Sequence, residues 1–140
     1  MLYDKILTNP PFGVIKHFNK DMFKLHARRK ENLFLELCLQ NTSERVAIIV
    51  PDSLLGCTRD KPIRKWILDN FGYRATISLP RKTFWMKGVR SSTQTKTSIM
   101  IIDKIKPAGN YQIFMAIIGD FRHSYTQEDL DKTLQGWKSL

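Results

Sequence analysis

The chain has 140 residues, 42% of them hydrophobic, and 23 Lys and Arg against 13 Asp and Glu give it a formal charge of +10. This size suits one domain, and the apolar content excludes a disordered chain. No apolar run approaches the roughly 18 residues of a membrane span, and the two cysteines have neither a disulfide framework nor metal-ligand spacing.

The excess of basic over acidic residues, with a pI near 9.8, fits a polyanionic partner such as DNA or RNA. A well-solvated basic surface gives the same composition, so charge alone does not decide between the two. The N-terminus lacks the basic start and apolar run of a signal peptide. We therefore expect a cytoplasmic protein with reduced cysteines, no metal site and no membrane association.

The first predicted element is a short strand from Tyr3 to Thr8, which ends at Asn9-Pro10-Pro11-Phe12-Gly13. Two consecutive prolines remove two backbone donors and fix two φ angles, so neither strand nor helix continues through this segment. The next residues, Gly13 to Lys30, are basic with weak periodicity, and we interpret them as a loop. A helix follows from Glu31 to Gln40, apolar on most sides and hence buried.

Apolar runs and helical spacings then alternate along the chain. Arg45 to Val50 carries an unbroken apolar run after Arg45, typical of a strand covered on both faces. Asp60 followed by Pro62 predicts the start of a helix, with Asp60 as its N-cap. The remaining predicted elements are strands at 74–79, 97–103 and 111–118 and a final helix beginning at the capping box of Thr126 and Asp129.

This order predicts an α/β fold, with a mostly parallel sheet and helices on both faces. The last two strands are separated only by a short connection that contains the turn Pro107-Ala108-Gly109-Asn110. We interpret them as a hairpin, which places one antiparallel strand at an edge of the sheet.

The Asn-Pro-Pro-Phe segment has the residue types that methylation of an exocyclic amine requires. Such an amine is a poor nucleophile because its lone pair is delocalised into the ring. The Asn9 side-chain oxygen and the Pro10 carbonyl can each accept a hydrogen bond from one of its two N–H groups, which frees the lone pair. Pro10 and Pro11 hold this carbonyl still. Phe12 can stack on a base that has left the helix. The alternative is an ordinary turn, since Asn-Pro is a common turn signal.

The residues from Tyr3 to Gly13 resemble the catalytic motif of bacterial N6-adenine DNA methyltransferases, above all the modification subunits of type I restriction-modification systems. Further segments resemble the family in the same order: Asn32–Glu36, Arg45–Leu55, Ile63–Leu68, Ile77–Pro80 with Phe84, and Thr97–Lys104. The resemblance implies the C-terminal half of a Rossmann-like methyltransferase sheet, as one partial domain over 1–140. It also implies catalytic roles for Asn9, Pro10, Pro11 and Phe12, and a bacterial or archaeal source.

The family binds S-adenosylmethionine on strands that precede the catalytic loop, the first ending in a glycine-rich turn. Here the loop begins at residue 9, and the seven glycines stand singly. We therefore expect no cofactor-binding residues in this chain and no methyl transfer by it alone. The first strand would lack its neighbour, which predicts a homodimer or association with a complementary methyltransferase or specificity subunit.

The polar, basic segment from Arg81 to Lys96 is the predicted DNA-facing loop, with Lys82, Trp85, Lys87 and Arg90 as contact candidates. Its aromatic residues can equally pin the loop to the core. Two other functions stay open: a non-catalytic nucleic-acid-binding or assembly module that keeps the fold, and half of an RNA or protein-glutamine methyltransferase.

Overall fold

A computed structural model describes residues 2–17, 19–25, 27–84, 95–119 and 125–139. Five strands and four α-helices, with two single turns of 3-10 helix at Lys20–Met22 and Thr58–Asp60, form this described part of the chain. In chain order the strands and α-helices are β1 (Tyr3–Thr8), α1 (Lys30–Asn41), β2 (Thr42–Pro51), α2 (Asp52–Gly56), α3 (Lys61–Asn70), β3 (Gly72–Ser78), β4 (Thr97–Asp103), β5 (Phe114–Ile117) and α4 (Gln127–Lys138).

The strands form one sheet in the order β1-β2-β4-β3-β5. β1 is parallel to β2, β3 is parallel to β5, and β4 is antiparallel to both of its neighbours. Four strands therefore run in one direction and β4 runs against them, which confirms the predicted α/β fold with a mostly parallel sheet. The predicted antiparallel edge strand is wrong, because the antiparallel strand lies inside the sheet.

The connection from β4 to β5 explains the difference. Its ten residues, 104–113, do not form a hairpin but carry the chain past the start of β3, so that β5 pairs with the far side of β3. Tyr111 accepts a hydrogen bond from the Tyr73 backbone N–H at 3.3 Å, and Lys106 Nζ donates to the Leu68 carbonyl at 2.6 Å. These contacts hold the connection against the end of α3 and the beginning of β3.

Gly72 allows this close passage. A Cβ at this position would lie 2.8 Å from Pro107 Cδ and 2.9 Å from the Ile105 carbonyl oxygen. Because backbone and a proline ring cannot move aside easily, we expect Gly72→Ala to destabilise the fold by about 1–3 kcal/mol. Urea denaturation measures this, with Gly56→Ala as the control, since nothing lies within 4 Å of a Cβ there. Equal stability of the two variants would contradict the role of Gly72.

Helices cover both faces of the sheet, as predicted. On one face Val46, Ile48, Met100 and Ile102 pack with apolar residues of α1 and α3 in the hydrophobic core. Side chains alternate along a strand, so Arg45, next to Val46, points to the opposite face. There its guanidinium lies 5.7 Å from the ring centroid of Trp137 on α4. No helix in the described ranges is long and apolar enough to cross a bilayer.

The two predicted helix starts have different outcomes. The capping box of α4 is confirmed, with the Asp129 backbone N–H donating to Thr126 Oγ1 at 3.2 Å and the Thr126 N–H donating to Asp129 Oδ2 at 2.8 Å. Asp60 does precede α3, but its side chain makes no capping hydrogen bond. Its two oxygens instead accept from Asn32 Nδ2 and Arg59, each at 3.0 Å, so Asp60 occupies the predicted N-cap position but does not cap the helix through its side chain.

Candidate functional site

The candidate site lies at the edge of the sheet where the parallel strands end. Asn9 follows β1 directly, Asp52 follows β2, and Leu79 follows β3. Because these strands run in the same direction, the three residues leave the sheet at the same edge. In open α/β sheets this edge is the usual place for a ligand.

The Asn-Pro-Pro-Phe segment alternates between solvent and protein. Asn9 and Pro11 are exposed, Pro10 is buried, and Phe12 is half-buried. The segment is thus anchored through Pro10 while the Asn9 side chain stays accessible to a ligand. Gly13 then has a φ of 120°, a backbone conformation that favours glycine and turns the chain towards α1.

A buried carboxylate fixes this turn. Glu31, fully buried in the first turn of α1, accepts a hydrogen bond from the Gly13 N–H at 3.0 Å and a second from Arg29 Nε. The Gly13 carbonyl accepts from the Lys30 N–H at 2.7 Å, and Val14 forms an antiparallel bridge with Arg29. The segment after Phe12 is therefore tied to the beginning of α1 on both sides of Gly13.

A second buried carboxylate holds the basic loop further along. Glu36 accepts from the backbone N–H groups of Lys24 and Leu25, the latter at 3.3 Å. Sequence reasoning missed the roles of Glu31 and Glu36. The available signal was the presence of ionisable residues within an otherwise apolar helix, since buried carboxylates require hydrogen-bond donors.

Asn9 lines a cavity of about 310 Å³ on the α4 side of the sheet. Its walls come from the ends of β1 and β2 and from β4: Leu7, Thr8, Ala47, Ile48, Ile49 and Ile99. Apart from Asn9 and Thr8 these side chains are apolar. The cavity therefore has a mostly apolar wall with the Asn9 amide at its rim, and no charged residue lines it.

A polar cluster occupies the same edge beyond β2 and β3. Asp52 accepts from Ser98 Oγ at 2.8 Å and lies 3.4 Å from Lys96 Nζ. Lys96 also donates to Ser78 Oγ and to the Leu79 carbonyl, the latter at 3.3 Å. Lys96, at the end of the predicted DNA-facing loop, thus has its ammonium group engaged by the protein itself.

Of the DNA-contact candidates, only Lys82 lies in the described residues; Trp85, Lys87 and Arg90 lie outside them. Lys82 is exposed in the turn after β3 and has a φ of 64°, in the left-handed region. Two strands separate β1 from β3, so the two strands lie about 14 Å apart at the usual spacing. The structure places Lys82 and Asn9 at the same edge of the sheet without bringing them into contact.

The described residues contain no group of three or more side chains able to hold a metal ion. Both cysteines in this part of the chain are free, Cys38 buried and Cys57 exposed. Burial raises the pKa of the Cys38 thiol above its ordinary value, which keeps it protonated and unreactive at neutral pH.

Comparison with known proteins places the chain among DNA methylases. The model of the family described as N-6 DNA Methylase matches residues 1–136. The methylase subunit of the type I restriction enzyme EcoEI from Escherichia coli is 29% identical over an alignment of 113 residues, which covers 74% of this chain and 21% of that subunit. The chain therefore spans about a fifth of this relative.

Solved structures share the fold. A protein named as the modification subunit of a candidate type I restriction enzyme from Vibrio vulnificus YJ016 superposes with a TM-score of 0.74 at 21% identity, covering 97% of this chain and 31% of that one. The methyltransferase subunit of a type I restriction-modification system from Streptococcus thermophilus gives a TM-score of 0.66 at 19% identity, covering 99% and 32%.

Proposed function

Because this chain belongs to the N-6 DNA methylase family, we propose that it forms the part of a DNA adenine-N6 methyltransferase site that holds the acceptor base. One observation carries the proposal: Asn9 is exposed at the ligand-binding edge of the sheet while Pro10 beside it is buried. The family context of a restriction-modification system fits the relatives named above.

The acceptor chemistry follows from this arrangement. The N6 amine of a flipped adenine donates one N–H to the Asn9 side-chain oxygen and the other to the Pro10 carbonyl. Two acceptors on one side of the nitrogen favour a tetrahedral geometry and expose its lone pair to a methyl donor. Pro10, Pro11 and the tie between Gly13 and Glu31 limit the movement of these acceptors, and fixed dipoles stabilise charge best. Phe12 contributes an apolar surface for the adenine ring.

The family implies S-adenosylmethionine as the methyl donor, and the residues that line the cavity beside Asn9 do not fit it. This molecule carries a sulfonium, a ribose and a charged amino-acid group, which require polar and acidic partners. The cavity beside Asn9 offers only Thr8 and Asn9 as polar residues. Its wall is otherwise made of aliphatic side chains, and no carboxylate lines it. We propose that other residues, outside this site, hold the donor.

The outer edge of β1 is the proposed place for those residues. Within the described sheet β1 pairs only with β2, and Leu7 on this strand is 80% exposed. Open strand edges pair readily with another chain. We propose that a complementary methyltransferase segment, or a second copy of the chain, adds a strand here.

The proposed substrate is DNA, for which the charge of +10 supplies a non-specific attraction. Lys82 at the same edge as Asn9 is a proposed phosphate contact, and Trp85, Lys87 and Arg90 remain proposed contacts on sequence grounds alone. A non-catalytic nucleic-acid-binding module would show the same attraction without any dependence on Asn9.

Two measurements on the 140-residue chain test the proposal. We expect no incorporation of labelled methyl groups into adenine-containing DNA, because the described cavity does not fit the donor. Sedimentation at high concentration should show self-association through the β1 edge, unless a complementary segment is supplied. Methyl transfer by the purified chain would contradict the first expectation. A chain that stays monomeric at high concentration and does not bind the complementary segment would contradict the second.

A further inference from the structure

The sheet has a second open edge, which is formed by β5. Among the described residues β5 pairs only with β3, and β1 forms the opposite edge of the sheet. The Ile118 N–H donates to the Ser78 carbonyl at 2.9 Å, so the backbone groups of Ile118 point towards β3. Because this direction alternates along a strand, the N–H and C=O groups of Met115 and Ile117 point away from β3, towards the open edge.

The β5 edge lacks the features that usually keep open edges apart. Such edges are protected by charged side chains, by prolines within the strand or by bulges. No charged residue occurs from Pro107 to Gly119, although the whole chain carries a formal charge of +10. By contrast, β1 carries Asp4 and Lys5, and its pairing with β2 is irregular between Tyr3 and Lys5. Of the two edges, β5 is therefore better matched to an uncharged strand.

One face of β5 is apolar and uncovered. On the face that carries α3, Met115 is 72% exposed and Ile117 is 55% exposed. Together with Leu55 they line a cavity of about 530 Å³. The opposite face is covered, since the Phe114 ring packs against Trp137 of α4 with the ring centroids 5.8 Å apart. A partner at this edge therefore gains apolar contact with Met115 and Ile117 as well as backbone hydrogen bonds.

We propose that this partner is a second copy of the chain, paired with the first through β5 in the antiparallel direction about a twofold axis. The occupant must be an uncharged strand with unpaired backbone groups and apolar side chains on the same face. In the described part of the chain β1 is charged, and β2, β4 and β3 are paired on both sides, so only β5 has all three properties. A twofold axis presents the same surface from each copy, so one contact satisfies both open edges.

The outward backbone groups define the register of this pairing. With the twofold axis at Ala116, Met115 lies opposite Ile117 of the second copy, and this pair exchanges both N–H···O bonds. Ala116 lies opposite Ala116 of the second copy in a non-hydrogen-bonded pair, where Cα atoms approach to about 4.5 Å. The small alanine side chain fits this approach, and the pairs of Met115 with Ile117 cover apolar surface on the open face. The two copies then share one continuous sheet.

This contact leaves the acceptor edge free. The strands β2, β4 and β3 separate β5 from β1, so pairing at β5 does not use the edge proposed for the donor segment and does not involve Asn9. The inference therefore does not depend on the proposed function. Self-association at β1 and pairing at β5 are separate contacts, and a substitution at one edge should leave the other contact unchanged.

Disulfide trapping tests the register, in a chain in which Cys57→Ser removes the exposed native thiol. Ala116→Cys should form a covalent dimer under mild oxidation, because the Cα separation of the non-hydrogen-bonded pair fits a disulfide. Ala108→Cys is the matched control, since it places the same thiol at an exposed position before β5, and it should not cross-link. Non-reducing electrophoresis measures both. Cross-linking of Ala116→Cys no greater than that of Ala108→Cys would overturn the proposed pairing.

Analytical ultracentrifugation measures the strength of the contact, in a chain in which Leu7→Lys weakens pairing through β1. This chain should still dimerise, and Met115→Lys should raise the Kd of the dimer by about tenfold or more, because it places a charge on the pairing face. Ile105→Lys adds the same charge at a residue that is 77% exposed and outside the strands, and it should leave the Kd unchanged. A monomeric Leu7→Lys chain, or equal Kd values for the Met115→Lys and Ile105→Lys variants, would contradict pairing through β5.

Discussion

Asn9→Ala should lower the rate of methyl transfer to DNA by about 10²- to 10³-fold when the chain works together with the segment that holds the donor. The substitution removes one of two acceptors for the adenine amine, and its effect falls on the transition state, where the nitrogen becomes tetrahedral. We therefore expect kcat to fall while the KM for the methyl donor changes little. Steady-state kinetics with a labelled donor and a DNA duplex measures both constants.

Asn110→Ala is the matched control, because Asn110 is exposed in the connection between β4 and β5, away from the edge that carries Asn9. It should retain full activity. A loss of less than about threefold for Asn9→Ala would mean that the amide makes no catalytic contact, since even one ordinary hydrogen bond contributes about 1 kcal/mol. The Asn-Pro-Pro segment would then be a structural turn.

Glu31→Ala should destabilise the fold by about 3 kcal/mol. Glu31 is fully buried, and its removal leaves the Gly13 N–H and the partly buried Arg29 without their common partner. The loop between Gly13 and Lys30 should loosen first, because the same carboxylate ties both of its ends. Urea denaturation measures the change in the free energy of unfolding.

Two controls define this effect. Glu31→Gln keeps an acceptor for the Gly13 N–H and should lose less stability than Glu31→Ala. Glu44→Ala removes an exposed carboxylate 3.9 Å from Lys5 and should change stability by less than about 1 kcal/mol. Equal stability of the Glu31→Ala and Glu44→Ala variants would show that the buried carboxylate does not hold the loop.

Local patterns in the sequence predicted the elements well where their causes are local. The strand at 97–103 coincides with β4, because an unbroken run of Ile99, Met100, Ile101 and Ile102 suits only a covered strand. The capping box of Thr126 and Asp129 likewise depends on two residues three positions apart. The role of the Asn-Pro-Pro-Phe segment also rests on consecutive residues, and it stays a prediction.

Features that depend on distant residues were not predictable in this way. The place of β4 inside the sheet depends on how residues 104–113 pass Gly72, and no local pattern encodes this contact. Asp60 has the local pattern of an N-cap, but Asn32, 28 positions away, engages one of its oxygens. The two buried carboxylates of α1 bind backbone N–H groups 11 to 18 positions away.

The most direct test of the acceptor site compares two DNA duplexes that differ by one amine. Each carries a single extrahelical base, adenine in one and purine, which lacks the N6 amine, in the other. We expect the chain to bind the adenine duplex about tenfold more tightly, the value of one to two hydrogen bonds, and Asn9→Ala to abolish the difference. Equal affinity of the unsubstituted chain for the two duplexes, at the same salt concentration, would contradict a site built around Asn9 for the adenine amine.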